Sequence, residues 1–144
     1  MRRSHHPFVF LAVIAALALA AACGSSTAPV DPSGFYSLRT VNGDSVPAVI
    51  AADTGTDRLE LTSGFLLLSP IGTYTFKLSK VLTVGDSVDT LPESDYGQWD
   101  VQSQTVYLYS DQGGGFQLAL DAPNSALSLV LNVLGTDRTL LFTK

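Results

Sequence analysis

TYTFKLS, residues 73–79, alternates without a fault. Successive side chains of an extended strand point to opposite faces. Tyr74, Phe76 and Leu78 therefore share one face, and Thr73, Thr75, Lys77 and Ser79 the other. An apolar/polar period of two over a short run predicts a strand with one buried face. The pattern spreads in both directions. RLELT (58–62) sets Leu59 and Leu61 against Arg58, Glu60 and Thr62. TVYLYS (105–110), GFQLALD (115–121) and ALSLVLNV (126–133) follow the same rule less cleanly. No long stretch beyond Gly34 carries the 3.6-residue period of a helix.

Gly, Asp, Asn, Ser and Pro cluster between these runs, as turns require. The expected strands are 35–41, 47–51, 57–68, 73–84, 96–102, 105–110, 115–121, 126–133 and 138–143. PAVIA (47–51) reads either as a strand or as a single helical turn, and Ser63-Gly64 as a bulge inside a long strand. GDSVDTLPESD (85–95), the most polar stretch, reads as a mobile loop. The chain is thus expected to be all-β. An antiparallel meander with one apolar face must hide that face, by closing as an up-and-down barrel or by folding over as a β-sandwich. Short consecutive turns favour the barrel. A barrel of this size holds its own side chains or one small ligand.

GFY (34–36), GTY (72–74) and GQW (97–99) each place a glycine two residues before an aromatic at a strand start. Glycine permits the sharp bend, and the aromatic can plug one end of a curved sheet. Tyr36, Tyr74 and Trp99 are accordingly the candidates to line a ligand cavity, with plain core packing as the alternative.

The N-terminal part differs in kind. Arg2 and Arg3 precede a run from Phe8 to Ala22 that contains no polar residue. At about 15 residues it is shorter than the roughly 20 a spanning helix needs. A basic start, a short apolar core and small residues before a cleavage point are the layout of a secretory signal peptide. A buried N-terminal helix is the competing reading, and a run apolar on every face fits it poorly. Residues 1–22 are therefore read as a signal peptide, 23–33 as a modified N-terminus with a flexible tether, and 34–144 as the β domain. The tether, GSSTAPVDPS (24–33), is at most roughly 35 Å long when extended.

Two resemblances add to this. Ala20-Ala21-Ala22-Cys23 resembles the bacterial lipobox, with Leu19 one place earlier than the usual leucine. The resemblance implies that the Cys23 thiol receives a diacylglyceryl group, that cleavage follows just before it, and that the new amino group is acylated, palmitate being a typical chain. It also implies an outer-membrane destination, because Gly24 stands where an aspartate would retain a lipoprotein at the inner membrane. The alternative is ordinary cleavage after Ala20-x-Ala22, which would leave a free thiol. GFYSLRTVNGDSVP (34–47), GQWDVQSQTVYLYS (97–110) and RTLLFTK (138–144) resemble segments of the small lipocalin-like domains of bacterial lipoproteins. That resemblance implies a lipocalin-like barrel in the cell envelope more than it implies a function.

Composition excludes several chemistries. Beyond residue 22 stand six bases and 13 acids, a net charge of −7. Such a surface repels phosphate backbones, so nucleic acid is not an expected partner. The two histidines are His5 and His6, inside the signal segment, and Cys23 is the single cysteine. The domain therefore cannot build a Ser-His-Asp or Cys-His arrangement, a Cys/His zinc site or an intrachain disulfide. Asp86, Asp89, Glu93 and Asp95 crowd one stretch, but their spacing is not that of a calcium loop, and they read as solvated. Glu60 and Glu93, the two glutamates, do not mark a hydrolase cleft. Gly113-Gly114-Gly115 precedes no helix and reads as a hairpin turn. No catalytic residue, metal or cofactor is expected. The expected partners are the membrane, through the lipid on Cys23, and either an envelope protein or a small hydrophobic ligand. The expected place is the outer membrane, facing the periplasm. Bulky residues at most inward positions favour a filled barrel with a structural or protein-interaction role over a carrier.

Overall fold

The computed structural model of the chain describes residues 30–53, 55 and 57–144. The expected signal segment 1–22 and Cys23 lie outside the described residues. Ten strands make up the fold: β1 Gly34–Val41, β2 Asp44–Ser45, β3 Ala48–Ala52, β4 Arg58–Leu68, β5 Thr73–Val84, β6 Ser87–Gln102, β7 Thr105–Ser110, β8 Gly115–Asp121, β9 Ala126–Val133 and β10 Thr136–Thr143. No helix occurs among the described residues.

From β4 to β10 each strand pairs antiparallel with the next, and β10 pairs with β1. Residues Gly34–Ser37 of β1 then pair with Phe65–Leu68 of β4. That last ladder closes eight strands into a barrel, consistent with a lipocalin-like fold, and disposes of the sandwich alternative. β2 and β3 are extra. Beyond the closing ladder β1 and β4 part; β2 pairs with Thr40–Val41, and β3 with Arg58–Leu61. PAVIA is thus a strand rather than a helical turn. The bulge expected at Ser63-Gly64 falls one residue earlier, where the β4–β5 register shifts between Leu61 and Ser63.

The interior is apolar and full. Tyr36, Leu66, Leu68, Val106, Leu118, Leu127, Leu140 and Phe142 are each no more than 1% exposed. Phe76 joins Phe116 and Phe142 across the middle, at centroid distances of 5.8 and 6.0 Å. Every member of the core cluster lies in the compact unit Asp31–Lys144. The alternation in TYTFKLS holds: Tyr74, Phe76 and Leu78 are buried.

One expectation fails. Residues 87–95 are not a loop but the first half of β6, paired with β5 from Val84↔Ser87 to Thr73↔Gln98. A two-residue turn, Gly85-Asp86, joins the strands, with Gly85 at φ +56 as such hairpins favour. The periodicity is mute here because Ser87–Ser94 are exposed on both faces. With no face to bury, nothing selects an apolar alternation.

This half of β6 has β5 on one side and no strand on the other, since β7 pairs only with Gly97–Gln102. The Ser79 carbonyl accepts a hydrogen bond from Thr62 Oγ1 of β4 at 3.0 Å, so it points away from β6. Pro92, opposite Ser79, therefore turns its backbone to the open edge. Tyr96, of the same parity, accepts there from the Asp111 amide at 3.0 Å. A proline at that position removes a donor from the open edge and costs no ladder bond, a known guard against edge-to-edge association. Restoring the donor with Pro92→Val should produce concentration-dependent self-association, read by analytical ultracentrifugation; a variant that stays monomeric would show that Pro92 guards nothing. Gly97 meets a different constraint, because a Cβ built on it would lie 2.0 Å from the Tyr109 carbonyl oxygen. Gly97→Ala must force the β6 and β7 backbones apart and should cost about 1–3 kcal/mol in urea unfolding.

Candidate functional site

Antiparallel strands put alternate turns at opposite ends of a barrel. One end holds Pro32, where the chain joins the barrel, the turns 69–72, 103–104 and 122–125, and the C-terminus. The other, the mouth, holds β2, β3 and the turns 85–86, 111–114 and 134–135.

Tyr36, Tyr74 and Trp99, expected to line a ligand cavity, belong to the end away from the mouth. The Tyr36 hydroxyl donates to the Pro32 carbonyl at 2.6 Å. Trp99 Nε1 donates to the Ser69 carbonyl at 2.9 Å. The Tyr74 hydroxyl donates to Asp95 Oδ2 at 2.7 Å, and Ser110 Oγ donates to Asp95 Oδ1 at 2.6 Å. Each polar tip thus has a protein acceptor, as buried aromatics require. None of the three lines a cleft described below. Asp95 stands where β6 leaves β7, and its two hydroxyl donors fasten that fork.

The acidic stretch does not converge. Asp89, Glu93 and Asp95 share one face of β6, spread over about 20 Å of extended strand. Glu93 pairs with Lys80 of β5, and Asp95 holds the two hydroxyls. No group of three metal-ligating side chains occurs among the described residues.

The mouth carries a cleft of ≈ 330 Å³ between two walls. Ile50, Leu59, Leu61 and Leu78 form one wall, from β3, β4 and β5; Leu131, Val133, Leu134 and Leu140 form the other, from the β9–β10 hairpin. Lys80, Glu93, Asn132 and Arg138 supply the polar atoms. Arg138 Nε donates to the Ile50 carbonyl at 3.0 Å, bridging β10 to β3. Leu134 forms the tip of the hairpin turn with Gly135, at φ +51 and 84% exposed. A bulky side chain at positive φ is unfavourable, and an exposed one gains nothing from packing.

None of these cleft residues was a candidate from sequence, although a signal existed. Arg138 has the parity of Leu140 and Phe142, and Lys80 that of Tyr74, Phe76 and Leu78. Both are charges at inward positions in the mouth-side half of a strand. Cys23, the expected lipidation site, lies outside the described residues.

No protein-family model, curated protein or solved structure matches the chain.

Burial of Tyr74, followed by its hydrogen bond to Asp95, raises its hydroxyl pKa above the ordinary 10.0; burial, with the nearby Asp31 charge, raises that of Tyr36. A raised pKa means that the folded state holds the proton more tightly. The resulting stability is whole below pH 10 and is lost as pH rises above it. Urea unfolding between pH 9 and pH 12 should show wild-type stability falling more steeply than that of Tyr74→Phe, which keeps only the Tyr36 contribution; equal slopes would exclude Tyr74 as a source.

Proposed function

We propose that this chain is a lipid-anchored cell-envelope protein with a non-enzymatic role, structural or in protein interaction, held at the outer membrane through Cys23 and facing the periplasm. The observation that carries this reading is the filled interior. Leucine and phenylalanine from seven of the eight barrel strands meet in the middle, β6 adding Trp99 and Val101, and the end away from the mouth is closed by three hydrogen-bonded aromatics. Such a barrel serves as a rigid body that presents its surface. The absence of histidine and of any further cysteine beyond Cys23 supports a non-enzymatic role. The lipobox-like Ala20-Ala21-Ala22-Cys23 supports the anchor, and an acidic domain needs a covalent one to stay at an anionic membrane. The surface offered to a protein partner is the mouth end, where Val49 and Val88 are half or more exposed.

A second reading, binding of a small hydrophobic ligand, is favoured by one observation, the apolar cleft at the mouth.

Cys23→Ser should move the protein from the membrane fraction to the soluble periplasmic fraction and abolish labelling by a fatty-acid probe. A variant that stays in the membrane unlabelled would overturn the anchor. A photo-crosslinking residue at Val88 should give a discrete protein adduct in cells, and one at Thr105, on the opposite end, should not. Absence of any adduct would count against the interaction role.

A further inference from the structure

We infer that the mouth cleft is a binding site for a single-chain amphiphile with an anionic head, the chain lying between the two leucine-rich walls and the head meeting Arg138. This deepens the second reading above and rests on it. It relocates the ligand from the barrel interior, which is full, to the mouth.

Three observations converge. The first is charge. The two ion pairs of the described residues are Arg58–Glu60 and Lys80–Glu93. Arg138, only partly exposed, has no carboxylate partner among them. Its Nε is held by the Ile50 carbonyl, which fixes the guanidinium at the cleft that Arg138 lines. A guanidinium so placed matches a carboxylate or phosphate. The cleft lining carries Lys80, Arg138 and Glu93, a net +1, in a domain whose net charge is −7.

The second is shape and polarity. At ≈ 330 Å³ the cleft sits at the lower limit of small-ligand sites. Its walls are leucine, isoleucine and valine, with Lys80 and Glu93 paired on the β5–β6 side and Arg138 on the β9–β10 side. Apolar walls with one cation not paired to a carboxylate among the described residues suit a molecule with one apolar and one anionic end, of short or medium chain.

The third is Leu134. A leucine at φ +51, 84% exposed, works against the stability of its turn; asparagine or glycine would suit the position better. It lines the cleft, so a bound chain would cover it. Unfavourable backbone positions persist where they serve a site.

The test uses residues 31–144, the unit that contains the whole core, and isothermal titration with decanoate, decanol and decyltrimethylammonium. Decanoate should bind roughly tenfold or more tightly than the other two. Arg138→Gln should remove that preference and leave decanol unchanged. Leu134→Asn should raise the thermal midpoint and weaken decanoate, a split that a purely structural leucine would not give. Amide shifts on adding decanoate should centre on Leu131–Arg138 and Ile50. A decanoyl lysophosphatidate arm separates the two sources of an anionic chain: preference for it points to envelope lipid fragments, preference for decanoate to free fatty acids, and either supports the site. Binding of all three heads alike would overturn the anionic-head inference and leave the hydrophobic-ligand reading standing. No binding of any would overturn both. Shifts confined to Tyr36, Tyr74 and Trp99 would place the ligand at the other end and overturn the mouth.

Discussion

Four residue pairs decide what kind of object this sheet becomes. Gly34–Ser37 against Phe65–Leu68 joins the first long strand to the fourth in sequence and removes the two long edges that an open sheet would expose. The seam is covered on both faces. Inside lie Tyr36, Leu66 and Leu68; outside, the Phe35 and Phe65 rings stack at 5.2 Å, with Lys77 Nζ 5.9 Å from the Phe65 ring. Because the seam is short, β1 and β4 diverge beyond it, and the chain fills the gap with β2 and β3. The mouth follows from that divergence: β3 supplies Ile50 to the cleft wall and the carbonyl that holds Arg138.

The two ends therefore answer to different demands. Away from the mouth, tight turns and buried aromatics with matched hydrogen bonds leave no room for change. Towards the mouth, the β9–β10 hairpin runs on past β8 and β1, and β6 loses its second partner at the fork pinned by Asp95, while β5 stays paired with β4 as far as Thr83. Long hairpins with few neighbours are the parts of a barrel that move most readily. The half with fewer strand partners borders the cleft.

Where a face was buried, the sequence was legible. TVYLYS, GFQLALD and ALSLVLNV fall on β7, β8 and β9 at the expected boundaries, because burial on one side imposes a period of two. Residues 87–95 were illegible for the converse reason, exposure on both faces. The long-range seam between β1 and β4 was equally silent, since nothing local in GFYS names FLLL as its partner. The site was the least legible part. The aromatics at strand starts drew attention as ligand contacts, yet their tips hold backbone carbonyls and Asp95. The cleft is built from ordinary leucines plus Lys80 and Arg138, residues whose meaning depends on which strands face each other across the mouth.

The place where the chain joins the barrel has a mechanical consequence. Pro32 is buried, and its carbonyl is gripped by the Tyr36 hydroxyl just before β1 begins. Tension applied through the preceding residues runs into β1 along its own axis. It loads the ladders to β10 and β4 together, in shear, so their bonds must yield as a group rather than unzip one by one. Under steady pull, survival is governed by the unfolding rate, and this geometry slows it. A domain tugged by its leading end is thus held by two ladders at once rather than by one.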